Sequence, residues 1–212
     1  MPGGRKEGSM SVNLKKGQKI SLVKPGSAGL RRIMVGLGWD EVEQKRRLFF
    51  APKPQDIDCD ASVILCGANG KVISPDPKQG CVYFGNLRHS SGAIVHQGDN
   101  LTGAGEGDDE QIMVDLSLLP ANVYKLVFVV NIYDANVRKQ HFGMIRNAFI
   151  RLVDLGGGRN EICRFNLTDD YSGMTGMVVG EIYRHDGEWK FNAIGQGVAD
   201  ASRVTKLIEM YQ

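Results

Sequence analysis

Period-two alternation of apolar and polar residues, three tight-turn signatures between such runs, and sparse helical periodicity predict a mainly β protein. The expected architecture is a β-sandwich with a short connecting helix and a C-terminal helix. Val12 to Val23 reads as one or two strands and Arg31 to Trp39 as the next. Ala61 to Ala68 and Lys71 to Ser74 flank Asn69-Gly70, the composition of a type I′ hairpin. Cys81 to Phe84 is short and β-rich; Ile112, Val114 and Leu116 alternate with Met113, Asp115 and Ser117, as in a half-exposed strand. Val123 to Tyr133 is the most apolar strand. Ala148 to Val153 and Glu161 to Leu167 flank a glycine-rich turn at 156–160, and Met177 to Arg184 and Glu188 to Ile194 flank Asp186-Gly187. Asn136 to Ile145 is the expected connecting helix. Val198, Ala201, Val204, Leu207, Ile208 and Tyr211 fall on one face at helical spacing, which predicts the C-terminal helix.

A chain of 212 residues with 42% hydrophobic and 24% charged residues can bury a real core. Residues 1–10 are polar and glycine-rich, without an apolar signal segment, and are expected to be a disordered extension. Residues 11–212 then form a single domain, since no linker or internal repeat divides them. The run Leu126 to Val130 is too short to span a bilayer. A cytoplasmic protein is expected, with peripheral association at a membrane left open. Cys59, Cys66, Cys81 and Cys163 show neither CxxC pairing nor zinc spacing, so buried thiols are the reading. Basic residues come in small groups without aromatic interleaving or a recognition helix. They read as a solvated face, and no nucleic acid is expected.

Charge patterning carries the functional signal. Of the 24 carboxylates, a third lie in two stretches, 54–62 and 98–110, and neither contains Lys or Arg. Two carboxylates about 5 Å apart repel by roughly 1 kcal/mol in water and more near a protein surface. Such a collection calls for a counter-ion, and hard oxygens on glycine-rich backbone suit Ca²⁺ better than Mg²⁺. In an extended strand Asp56, Asp58 and Asp60 project to one side, while Ile57, Cys59 and Ala61 anchor the other. In the second stretch Asp99 and Asn100 open a loop, Gly103, Gly105 and Gly107 let its backbone fold tightly, and Asp108, Asp109 and Glu110 close it. This is not an EF-hand: counted from Asp56, position six is Ala61 and position twelve is Gly67.

Catalysis is not expected. His89, His96, His141 and His185 form no HExxH motif, and Ser90-Ser91-Gly92 is no nucleophile elbow. Carboxylates crowded in one loop divide poorly into an acid and a base. Gly103-Ala104-Gly105-Glu106-Gly107 lacks the Lys-Ser/Thr of a phosphate loop, and its carboxylates repel phosphate unless Ca²⁺ inverts the sign.

The two acidic motifs, with Val35-Gly36-Leu37-Gly38-Trp39-Asp40, Ala148 to Val153, Gly180 to His185, Gly187-Glu188-Trp189 and Gly195-Gln196-Gly197, resemble the TerD family of tellurite-resistance and stress proteins. The resemblance covers about Met10 to Tyr211. It implies a β-sandwich holding two Ca²⁺ ions at one end, with roles in resistance to tellurite, phage and other stress. Carried over by position, it implies as ligands Asp56, Asp58, Asp60, Asp99, Asn100, Asp108, Asp109 and Glu110. Backbone carbonyls near Thr102, Gly103 and Gly105 join them, with Asp40 and Asn86 in second rank. Departures are Glu106 for a common Asp, Asn166 for another, and Cys59 at a plain apolar position. The expected role is a calcium-dependent binding or adaptor module with protein partners in a stress-response complex. The alternative is a calcium-dependent binder of a nucleotide or other anionic ligand, since the family also resembles a cyclic-AMP-binding protein.

Overall fold

A computed structural model describes residues 11–23, 29–41, 56–98, 107–156 and 158–212. Two six-stranded sheets face each other. Their strands are β1 (Val12–Leu14), β2 (Lys19–Ser21), β3 (Arg32–Glu41), β4 (Cys59–Cys66), β5 (Cys81–Val82), β6 (Ile94–His96), β7 (Glu110–Asp115), β8 (Lys125–Ile132), β9 (Ile145–Asp154), β10 (Asn160–Asn166), β11 (Gly176–His185) and β12 (Glu188–Val198). One sheet runs β1-β10-β9-β3-β7-β6 and the other β2-β12-β11-β8-β4-β5. Val12 to Val23 thus yields two strands, one to each sheet. The β1–β10 pairing is parallel.

The main core lies between the sheets, where Ile33, Val35 and Leu37 of β3 and Ile112 and Val114 of β7 meet Ala61, Val63 and Leu65 of β4 and Leu126, Phe128 and Val130 of β8. A second core lies behind the other sheet. There α3 (Val204–Glu209) packs Val204, Leu207 and Ile208 on Ile64 and Cys66 of β4 and Val127 and Val129 of β8. Both faces of β4 and β8 are therefore covered, which accounts for their nearly unbroken apolar runs. All four cysteines are buried, and none forms a disulfide.

Three local expectations are revised. The connecting helix shrinks to one turn, α2 (Ala135–Arg138), followed by a 3-10 turn at Phe142–Met144. Asp134 and Lys139 stand at either end of α2 in left-handed backbone (φ 48° and 54°), which halts propagation in both directions. Asn69-Gly70 forms a turn, but only Gly70 has positive φ, so it is not type I′, and Lys71 to Ser74 contributes one bridge, Cys66 to Val72, rather than a strand. The C-terminal helix begins at Val204; Val198 ends β12, and Ala201 reaches the same core from the connection. By contrast Asp186 and Gly187 both have positive φ and close the β11–β12 hairpin as their composition predicts. Strand β6 had no counterpart among the expected elements. Among the described residues, no helix is long and apolar enough to cross a membrane.

Candidate metal centre

The described acidic residues of the two stretches lie at one end of the sandwich. There β4 starts beside the end of β8 (Cys59 opposite Ile132), and β7 starts beside the outgoing half of β3 (Glu110 opposite Leu37). Ile57, Cys59 and Ala61 are buried in the main core, as alternation requires. Asp56 is exposed, Asp58 half-buried and Asp60 buried. Tyr133 N–H donates to the Asp58 carbonyl (2.8 Å) and Gln140 Nε2 to that of Asp56 (3.3 Å), so the segment after β8 fixes this backbone. Arg138 Nη1 lies 3.6 Å from Asp58 Oδ2.

Asp60 sits opposite Asn131 on the face of β4 that also carries Ser62. Asn131 Nδ2 approaches Asp60 Oδ2 at 3.4 Å, while Asn131 Oδ1 and Ser62 Oγ are buried without hydrogen-bond partners among the described residues. An orphaned amide oxygen next to a buried carboxylate, with an orphaned hydroxyl two residues along the same strand face, offers oxygens of the type a hard cation takes. Asn131 escaped the sequence reading. The available signal was a lone amide in the apolar run Leu126 to Ile132.

The three consecutive carboxylates 108–110 diverge. Glu110 reaches across the sandwich: its carboxylate accepts the N–H of Ala61, on the stretch of β4 that β5 is too short to pair. His96 Nδ1 accepts from Gly98 N–H, leaving Nε2 to donate to the Ala61 carbonyl (3.2 Å); Nε2 is 3.6 Å from Glu110. Burial opposes the imidazolium, but the hydrogen bond and charge of Glu110, with the Ala61 carbonyl and the charge of Asp60, raise the His96 pKa overall. A carboxylate and an imidazole thus take the place of a neighbouring strand and pin the two sheets together.

Asp109 is 7% exposed and accepts from Trp39 N–H at 2.7 Å. Burial pushes its carboxyl above the ordinary range; the Trp39 hydrogen bond opposes this, and the charges of Asp40 and Asp108 reinforce it. Asp108 behaves differently. Arg151 grips both its oxygens (2.7 and 2.9 Å) and Gln111 Nε2 adds a third hydrogen bond. The pair lies against Gly36, where a Cβ would run into the Asp108 carboxylate. Its expected place among metal ligands therefore competes with a bidentate arginine.

Of the second-rank positions, Asp40 accepts from Asn147 Nδ2 (2.8 Å), and Asn86 donates to the carbonyls of Lys78 and Cys81 (3.0 and 2.8 Å), which is a structural use. The expected ligands Asp99, Asn100, Thr102, Gly103 and Gly105 lie outside the described residues. Among those described, no three His, Cys, Asp or Glu side chains converge closely enough to hold a metal ion.

Fold and site together define a two-sheet sandwich with an acidic, oxygen-rich end. The chain belongs to the TerD domain family, whose pattern it matches over residues 10–211. It is 50% identical to the stress response protein SCP2 of Bacillus subtilis, over 95% of this chain and all of that one. It is 44% identical to the tellurium resistance protein TerD of Serratia marcescens, over 90% of this chain and 92% of that one. A solved homologue of the telluride resistance protein from Streptomyces coelicolor shares the fold, with TM-score 0.61 and 24% identity over 87% of this chain and 99% of that one.

Proposed function

We propose that this chain is a calcium-binding stress-response module, linked to tellurite and toxic-stress resistance, that works in the cytoplasm by binding rather than by catalysis. The observation that carries the reading is Asp109. A buried carboxylate, pushed upward by burial and by two neighbouring carboxylates, is relieved by a divalent cation. Asp60 with Asn131 and Ser62 offers a second group of oxygens of the kind Ca²⁺ takes. The relatives named for stress response and tellurium resistance support the physiological setting. When bound, the ion would supply positive charge; the protein's part is to present the coordinating oxygens and to offer the neutralised end to a partner.

Calorimetric titration of EDTA-stripped protein with Ca²⁺, with Mg²⁺ as control, tests this. Saturable, Ca²⁺-selective heat near two equivalents is expected, with about 2.7 kcal/mol of added stability at a hundredfold excess over the dissociation constant. No heat and no melting shift would leave the acidic end merely solvated and overturn the reading.

A further inference from the structure

Where β9 and β11 begin and β10 has just ended, a cleft of about 130 Å³ leaves the main core open to solvent. Phe142, Leu167, Tyr171 and Met177 form its apolar floor, and none of its lining residues belongs to the two acidic stretches. The Tyr171 hydroxyl is used elsewhere, donating to the Gly195 carbonyl (3.1 Å), so it adds no polar group to that floor. Ile145 and Ala148 both line the wall, three residues apart, although alternate side chains of a regular strand face opposite ways. A β-bulge reconciles the two. Between the pairs Gly38–Phe149 and Asp40–Arg146, Asn147 and Ala148 of β9 stand opposite the single Trp39 of β3. Asn147 takes left-handed backbone (φ 52°) and is pinned by its bond to Asp40 (2.8 Å).

The bulge also brings Arg146 to the cleft, and its guanidinium has no hydrogen bond or ion pair among the described residues. Asp169 and Asp170 line the same cleft. Lys16 Nζ neutralises Asp169 at 2.6 Å. Asp170 accepts from Ser172 N–H (2.9 Å) but has no ion pair among the described residues. An apolar floor is therefore bordered by one uncommitted cation and one uncommitted anion.

We propose that this cleft binds a small zwitterion with an apolar tail, the chemistry of a free apolar α-amino acid. The tail takes the floor, the carboxylate pairs with Arg146 and the ammonium with Asp170. Each part answers an observation. An apolar floor holds water poorly, so covering it with methyl groups or a ring is favourable. A guanidinium without an acceptor suits a carboxylate, which it grips through two N–H groups. Asp170 repels an anion that brings no positive charge of its own, which disfavours phosphates and nucleotides. Size works the same way. Gly143 closes one end of the cleft against Ser172, where a Cβ would lie 2.5 Å from Oγ, so a base with its sugar or a through-running peptide does not fit. The site needs no metal and stands or falls apart from the calcium centre.

The test is calorimetric titration of the full chain with leucine, methionine and phenylalanine, in EDTA and again in Ca²⁺. Three further probes each lack one feature of leucine: isocaproate the ammonium, isopentylamine the carboxylate, and glycine the tail. Saturable binding of at least one of the apolar amino acids in both media is expected, with the truncated probes weaker by about tenfold or more. Arg146→Gln should weaken the amino acid about tenfold and leave isopentylamine unaffected; Asp170→Asn should weaken it similarly and leave isocaproate no weaker. Both side chains are exposed, so the variants should melt with the parent. No saturable heat with any of the three amino acids overturns the proposal. So does isocaproate or isopentylamine binding as tightly as leucine, or amino-acid binding that neither variant weakens. Heat with an amino acid but none with Ca²⁺ would keep this site and overturn the calcium reading alone.

Discussion

Asp108, Asp109 and Glu110 are adjacent in sequence and chemically alike, yet each meets a different partner: Arg151, the Trp39 N–H, and the Ala61 N–H with His96. Only Glu110 belongs to β7, so Asp108 and Asp109 escape its alternation, and the counter-charge of Asp108 arrives from Arg151 on β9, 43 residues away in sequence. This is why stretches devoid of Lys and Arg read as unneutralised, although Arg151 and Arg138 answer two of their members. The same arginine extends the network to Glu161, which also takes hydrogen bonds from Ser11 (2.6 Å) and Arg164 (3.5 Å). Burial alone would raise the Glu161 pKa, but these partners outweigh it and hold it below the ordinary 4.5. A carboxylate with a depressed folded pKa contributes stability that is complete above its unfolded pKa and lost as pH falls through the folded value. Glu161→Gln should therefore cost about 1 kcal/mol at neutral pH, the scale of a partly exposed charge network. Urea melts of parent and variant should converge as pH drops below 4.5; a gap that persists undiminished into acid would show that the carboxylate charge is not the source.

Strand-level structure was legible because side-chain period two survives wherever one sheet face is wet, as in β7 and β12. It failed where a short element depends on tertiary partners. Strand β6, only Ile94–His96, exists because β7 and the bridge from Arg88 to Val95 complete its ladder. The helix expected over 136–145 had a pattern but no core to bury it, and one turn survives. The C-terminal helix kept its face yet lost its first turns to strand β12, whose ladder extends to Val198. At the site, the acid-rich segments were visible, while Asn131, Arg138 and Arg151 were not, because their roles follow from topology. Helix α3 provides a check on the second core, since it covers Cys66 and Cys81. Burial pushes the Cys66 thiol up to about 11, with Lys125 opposing and Glu181 reinforcing. Leu207, fully buried under this helix, is the wedge. Leu207→Ala should destabilise by about 2–5 kcal/mol and speed labelling of both thiols by a disulfide reagent in the native state. Labelling at the parent's rate, despite the lost stability, would mean that α3 does not gate access to these cysteines.

Taken as a whole, the sandwich is well satisfied between its sheets and electrostatically strained at one end, a division expected where stability is traded for binding. The Glu110–Ala61–His96 contacts hold the two sheets together beside the carboxylates that repel each other, so the strain is contained rather than relaxed. Asp109 lets the trade be measured. Its folded-state pKa is raised, so the apo fold loses stability as pH rises through the range where the carboxylate ionises. Asp109→Asn removes that charge while the amide oxygen can still accept from Trp39 N–H. In EDTA at neutral pH the variant should be more stable than the parent, by about 0.5–2 kcal/mol. In saturating Ca²⁺ the order should reverse, because the parent gains the binding free energy and the variant loses much of it. Paired melting curves in EDTA and Ca²⁺ read both arms at once. A variant stabilised equally in both conditions would make Asp109 a source of strain without a bound ion to justify it. A variant destabilised in both would make its carboxylate a structural acceptor for β3 and remove it from the metal centre.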